Sequence, residues 1–195
     1  MDRKNTLAPE DWIKAAFRAL GQGGPQAIRV EAIARDLSVS KGSFYWHFKD
    51  ARALKRAMLE HWQRVATFEA IAKVEHGADE GRAQLAALIE LATGGQSADY
   101  GGPKIEAAIR DWGRADPGVA RIVEKVEATR LDFVAGLLCK AGADKGGCQQ
   151  RARLLYGAMI GLEQLPGISR ECIRTDLNWL VRRLLGEAPA GQANG

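Results

Sequence analysis

The stretch from Val30 to Phe48, V-E-A-I-A-R-D-L-S-V-S-K-G-S-F-Y-W-H-F, decides the fold. Val30, Ile33, Ala34 and Leu37 recur at helical spacing, which predicts a short helix over 30–37. Ser38-Val39-Ser40 interrupts it, and Ser40 stands where it can cap a further helix over 41–48. Phe44 and Phe48 lie four apart, on one face of that helix. Upstream, Trp12, Ile13, Ala16, Phe17 and Leu20 mark a helix opened by Pro9 and stopped by Gly21, Gly23, Gly24 and Pro25. Two short helices joined by a three-residue turn, with another packed behind them, form a helix-turn-helix.

Working outward, a long helix is expected over 51–74, carrying Leu54, Met58, His61, Trp62, Val65 and Phe68. Further helices are expected at about 80–93, 103–114, 117–141, 146–165 and 169–185. Gly94-Gly95, Pro103, Asp116-Pro117, the glycine-rich run 142–147 and Pro166-Gly167 punctuate them. The fold class is therefore all-α. Residues 1–49 are expected to form the N-terminal head, 50–186 a larger helical body and 187–195 a small, polar tail expected to be flexible.

Composition agrees and narrows the function. At 46% apolar, the 195 residues can bury a substantial core. Residues 1–60 hold eleven Lys/Arg against seven Asp/Glu, whereas the remainder is balanced, so the net charge of +4 sits entirely in the first third. Lys41, Lys49, Arg52, Lys55 and Arg56 are accompanied only by Asp50. Such a cluster suits a polyanion, or equally a solvated helix face. No apolar run reaches the roughly eighteen residues needed to span a bilayer. No apolar signal core follows the first residues, which leads us to expect a cytoplasmic protein with no membrane partner. Cys139, Cys148 and Cys172 lack ligand-like spacing and read as reduced, packing cysteines. His47, His61 and His76 lie in different elements without a metal-ligand pattern. With no phosphate loop, nucleophile elbow or paired carboxylates, we expect no enzyme activity, no cofactor and no metal.

The Val30–Phe48 stretch resembles the signature of the TetR family of bacterial transcriptional regulators. That signature is Ile-Ala, three residues, Gly-Val-Ser, any, Gly, two residues, Tyr, any, His-Phe. The run KGSFYWHF from Lys41 to Phe48 is similar to a recurring subgroup, as is Ile105–Pro117 to a helix of its ligand-binding domain. The chain departs twice. Ser38 stands where the family commonly has glycine, and Ala51 where it often has a lysine opening the fourth helix. Lys49 or Arg52 is the substitute for that phosphate contact.

The resemblance implies a homodimeric, sequence-specific DNA-binding regulator, a repressor that a small-molecule ligand releases from its double-stranded operator. Two rivals stay open: a ligand-independent or partner-gated regulator, and a ligand-binding or interaction protein that no longer binds DNA. The DNA-binding residues are expected to be Ser40, Lys41, Gly42, Ser43, Tyr45, Trp46, His47, Lys49 and Arg52. Lys41 is the strong base-edge donor, Gly42 allows close backbone approach, and Tyr45 and His47 match phosphate-binding positions of the family. Trp46 is expected on the DNA side, away from Phe44 and Phe48. Without Arg, Asn or Gln on the reading helix, phosphate contacts should dominate affinity and groove shape should supply much of the specificity. The dimer interface is expected to use Leu155, Met159, Leu162, Ile173, Leu177, Leu180, Val181 and Leu184, and the effector pocket Trp62, Phe68, Tyr100, Trp112, Phe133 and Tyr156.

Overall fold

The computed structural model describes residues 7–94, 100 and 104–187, and among these no strand occurs. The helices are α1 (Pro9–Gly23), α2 (Val30–Asp36), α3 (Lys41–Tyr45), α4 (Ala51–Gln63), α5 (Ala70–Gly77), α6 (Gly81–Thr93), α7 (Ile105–Ala115), α8 (Pro117–Lys140), α9 (Cys148–Gln164) and α10 (Arg170–Leu184). The Gly95 break, the Pro103 helix start and the tail beyond Glu187 lie outside the described residues.

Local chemistry sets the ends. Asp50 accepts the Ala53 amide at 2.7 Å to cap α4, and Ser169 likewise caps α10 through Cys172. Asp116 accepts from Gly118 at 2.8 Å just ahead of the first turn of α8. Ser40 occupies the N-cap position of α3, but its hydroxyl makes no capping bond. The helix end at Leu37 closes through two bonds, Ser38 N to Arg35 O and Val39 N to Ala34 O. This six-to-one, five-to-two pairing demands a left-handed residue, and Ser38 supplies it at φ 55°.

The expected single helix over 51–74 needs correcting. A π-helical segment, Arg64–Glu69, separates α4 from α5. The wider turn inserts a residue and rotates the apolar stripe out of phase. Thr67 is thereby buried at 1% exposure, while Val65 and Phe68, both expected on the stripe, stand 39% and 49% exposed. Arg130 donates to the Ala66 carbonyl at 3.0 Å and to the Thr67 hydroxyl at 3.0 Å, meeting backbone and side-chain acceptors of this segment.

The chain gathers into two compact units, one of residues 1–64 and 95–125, the other of 65–94 and 126–195. In the first, Trp12, Phe17, Leu20, Ile33, Phe44, Leu54 and Met58 form the core. Helices α4 and α7 pack with the head here, so this unit extends well past residue 49. The Trp62 indole donates to the buried Glu106 carboxylate at 2.7 Å, tying α4 to α7. In the second unit α6, α9 and α10 pack together around Leu85, Ile89, Leu138, Ala152, Leu155 and Leu177. Gly81 lies hard against α8, where a Cβ would sit 2.5 Å from the Ala141 amide nitrogen.

The cysteines also differ from expectation. Cys139 and Cys148 are joined in a disulfide, leaving Cys172 free and exposed. The turn between α8 and α9 folds back sharply through Gly142, at φ 97°, bringing the two Cα atoms within 5.7 Å.

Candidate nucleic-acid interface

Helix α3 is held from behind by aromatic side chains. Phe44 is fully buried, meets Trp12 edge-on at 5.3 Å and stacks on Phe48 at 5.6 Å. These contacts leave the opposite face outward. Trp46 is 87% exposed and Tyr45 56% exposed, so the two aromatics point to solvent while their neighbours fill the core. His47 is half-buried. Side by side, the two exposed rings form an apolar and hydrogen-bonding edge beside the buried Phe44 and Phe48. The α-helix itself ends at Tyr45, shorter than the expected 41–48, and Phe44's carbonyl accepts the His47 and Phe48 amides in the closing turn.

Ser40, Lys41 and Gly42 are exposed at the start of α3, and Ser43 is half-buried. A Cβ on Gly42 would meet only Ser40 Oγ, at an ordinary 3.6 Å, so nothing within the chain demands glycine there. Its use is on the outer side, where the absent side chain lets a ligand approach the backbone. Lys49 and Arg52 are exposed beside the α4 N-terminus, while Lys55 leans over the Trp112 ring at 5.5 Å and is not a free cation.

One residue escaped the sequence reading. Glu31, on the first turn of α2, accepts from Lys41 Nζ at 2.5 Å, and both side chains remain more than half exposed. The hydrogen bond and charge of Lys41 hold the Glu31 carboxyl below its ordinary value, and the same bond pushes the Lys41 ammonium up. Lys41, expected as the strong base-edge donor, is thus paired across the motif. The signal was present, since opposite charges stand at the starts of two helices that the motif brings together, but sequence separation hid it. In the same unit Arg18 pairs with Asp36 at 2.7 Å, clamping α1 to the end of α2.

The aromatics expected to line the effector pocket fall in both compact units. Trp62, Tyr100 and Trp112 lie in the first compact unit, and Phe68, Phe133 and Tyr156 in the second. Each of the first three has its own packing role. Trp62 is bonded to Glu106, Trp112 lies under Lys55, and Tyr100 stacks on His61 at 4.7 Å while donating to Glu10. In the second unit Phe133 packs against the core, Phe68 is exposed, and the Tyr156 hydroxyl accepts from Arg130 at 3.3 Å.

The expected dimer set also divides. Leu155, Ile173, Leu177 and Val181 are buried in the chain's own core, which corrects their assignment to an interface, because a filled core position has no surface left to share. Met159, Leu162, Leu180 and Leu184 are partly buried against that core. The exposed apolar residues of α9 and α10 are Leu154 and Trp179, at 55% and 53%, with Leu165 following α9. Gly157 and Gly161 have open space above them.

Residues 13–58 match the family model described as bacterial regulatory proteins, tetR family. The head is similar to the N-terminal domain of that family. Solved structures similar to the whole chain carry the same all-helical fold. A transcriptional regulator from Rhodococcus sp. Rha1 superposes with a TM-score of 0.75 at 22% identity, covering 92% of this chain and 97% of that one. A regulator from Saccharomonospora viridis, solved in complex with choline, has a TM-score of 0.75 at 18% identity, with 89% and 95% covered. The reduced form of Escherichia coli NemR has a TM-score of 0.72 at 17% identity, with 90% and 96% covered. No curated protein matches the sequence significantly. Among the described residues, no helix is long and apolar enough to cross a membrane, and no group of three or more His, Cys, Asp or Glu is placed to hold a metal ion.

Proposed function

We propose that this chain is a sequence-specific DNA-binding transcriptional regulator, acting as a homodimeric repressor that a small molecule releases from its operator. The observation that carries the reading is the TetR-like head's exposed Tyr45–Trp46 edge, backed by the buried Phe44 and Phe48. A helix held rigidly by aromatics, with outward hydrogen-bonding and apolar groups, suits the major groove. Ser40, Lys41, Gly42 and Ser43 meet base edges; Tyr45, His47, Lys49 and Arg52 take phosphates; and Trp46 lies against thymine methyls or sugars. Affinity rests mainly on phosphates.

One head of this size buries too little for tight binding, so a second copy is required. Leu154, Gly157, Gly161 and Trp179 on α9 and α10 are the surface offered to it, with Met159, Leu162, Leu180 and Leu184 at its margin. The body, residues 50–186, takes the effector. The Saccharomonospora viridis relative bound to choline supports a small-molecule effector. Effector binding favours a head spacing that no longer fits successive grooves, a coupling of about 1–3 kcal/mol.

The test is genome-wide DNA pull-down with purified protein, followed by equilibrium binding to the enriched sites at several salt concentrations. Expected are two-fold sites and a steep fall of affinity with salt. Indifference to sequence at all salts defeats the reading.

A further inference from the structure

We propose that Glu31 and Lys41 act together as a base-reading pair that selects one guanine–cytosine pair in each half-site, an inference that rests on the DNA-binding reading above. Lys41 is the first residue of α3, and Glu31 reaches it from α2 with Oε1 2.5 Å from Nζ. Their side chains are 51% and 61% exposed, so the pair is bonded internally yet open to an outside partner. It presents an ammonium with two further N–H donors and a carboxylate with unused lone pairs, side by side.

A guanine–cytosine pair offers the complement in the major groove. Guanine presents two neighbouring acceptors, N7 and O6, and cytosine presents the N4 donor beside them. Lys41 serves both guanine acceptors while Glu31 accepts from cytosine N4. An adenine–thymine pair interrupts its acceptors with the N6 donor, so the ammonium meets one acceptor and one donor there.

A carboxylate brought toward a polyanion is ordinarily repelled. Here Lys41 neutralises Glu31, and Arg29, the residue preceding α2, adds a second favourable charge to the same carboxylate. A lone Glu31 on this edge would act against binding, whereas the paired one acts as an acceptor of defined position. The same pairing stops Lys41 from taking any nearby phosphate, so the pair restrains binding to the wrong sequence.

The experiment is selection from a random-sequence DNA pool with wild type, Glu31→Gln and Lys41→Met, followed by equilibrium binding to the enriched site and its single-base-pair variants. For wild type we expect one guanine–cytosine position per half-site at which any other pair weakens binding roughly 5- to 150-fold. Glu31→Gln should reduce that discrimination at least fivefold at this position alone and tighten binding to random DNA. Lys41→Met should abolish the same preference. If wild type binds selectively and Glu31→Gln retains the full profile, the inference is overturned while the proposed function stands. If wild type enriches no sequence, both fall.

Discussion

Replacing Ser38 by glycine should stabilise the head. Ser38 is the one non-glycine residue with positive φ among the described residues, at 55°. Its hydrogen bonds, Ser38 N to Arg35 O and Val39 N to Ala34 O, recur at two other helix ends. After α8 the corresponding bonds are Gly142 N to Cys139 O and Ala143 N to Leu138 O, and after α10 Gly186 N to Arg183 O and Glu187 N to Arg182 O. Both of those left-handed positions are glycine, at φ 97° and 81°. Among the described residues the chain thus builds this closure at three helix ends, with a side chain at the left-handed position in one of them. A Cβ in this region costs about 1–2 kcal/mol, and the freedom glycine adds to the unfolded chain returns about 0.4–1 kcal/mol. The difference predicts a net gain of roughly 0.5–1 kcal/mol, or about 1–4 °C in Tm for a chain of this length. Urea unfolding followed by tryptophan fluorescence, at one protein concentration, measures it, with Ser38→Ala as control. If glycine fails to stabilise, or alanine gives the same gain, backbone strain is not what Ser38 contributes.

Tyr45→Phe should weaken binding to every site by a similar factor of about 2–10, since a neutral hydrogen bond contributes roughly 0.5–1.5 kcal/mol; gel-shift titration across several sites reads this, and a change at one site only contradicts a phosphate role. Trp179→Asp and Leu154→Asp should each dissociate the dimer by analytical ultracentrifugation and lose operator binding together, while the circular dichroism of the monomer stays helical; a stable dimer in both variants removes this face from the interface. Reducing the Cys139–Cys148 bond, which spans nine positions, should lower unfolding stability by about 2–3 kcal/mol in urea titrations, with Cys139→Ser giving a similar value without reductant. Equal stability in both redox states would refute a stapling role. The Glu31–Lys41 pair has a signed pH window. Glu31 is lowered, so its contribution is present above the unfolded value near 4.5 and is lost as pH falls through the lower folded value. Lys41 is raised, so its contribution holds below 10.5 and is lost only as pH rises past its higher folded value. Carboxylate carbon NMR should place the Glu31 midpoint below 4.5 in wild type and return it to the ordinary range in Lys41→Met.

Much of the fold is written in local pattern. Spacing at Val30, Ile33 and Ala34 and the Phe44–Phe48 pair place the helix-turn-helix because period and burial coincide there. Proline and glycine punctuation finds most other helices for the same reason. What eluded the sequence depends on relations between elements. The π-helical segment leaves no compositional mark, yet it exchanges Thr67 for Val65 and Phe68 in the core. Apolar stripes on α9 and α10 do not say which leucines face inward, and only packing shows that Leu155 and Leu177 do. The disulfide and the Glu31–Lys41 pair each join residues of neighbouring helices, where proximity is set by a turn and not by spacing along one helix. Helical spacing places an aromatic in a core as readily as in a ligand wall, so the packing partners of Trp62, Trp112 and Tyr100 had to come from the structure.

The cross-link between Cys139 and Cys148, with exposed Cys172 in the same chain, bears on how assembly should be measured. A thiolate at Cys172 of a second molecule can attack the half-buried Cys139 sulfur, forming a new mixed linkage and releasing the buried Cys148 as a thiolate. Between two molecules that reaction welds them covalently, and it imitates reversible pairing in any sizing experiment. Trapping thiols by alkylation at the moment of lysis separates the chemical weld from the equilibrium dimer.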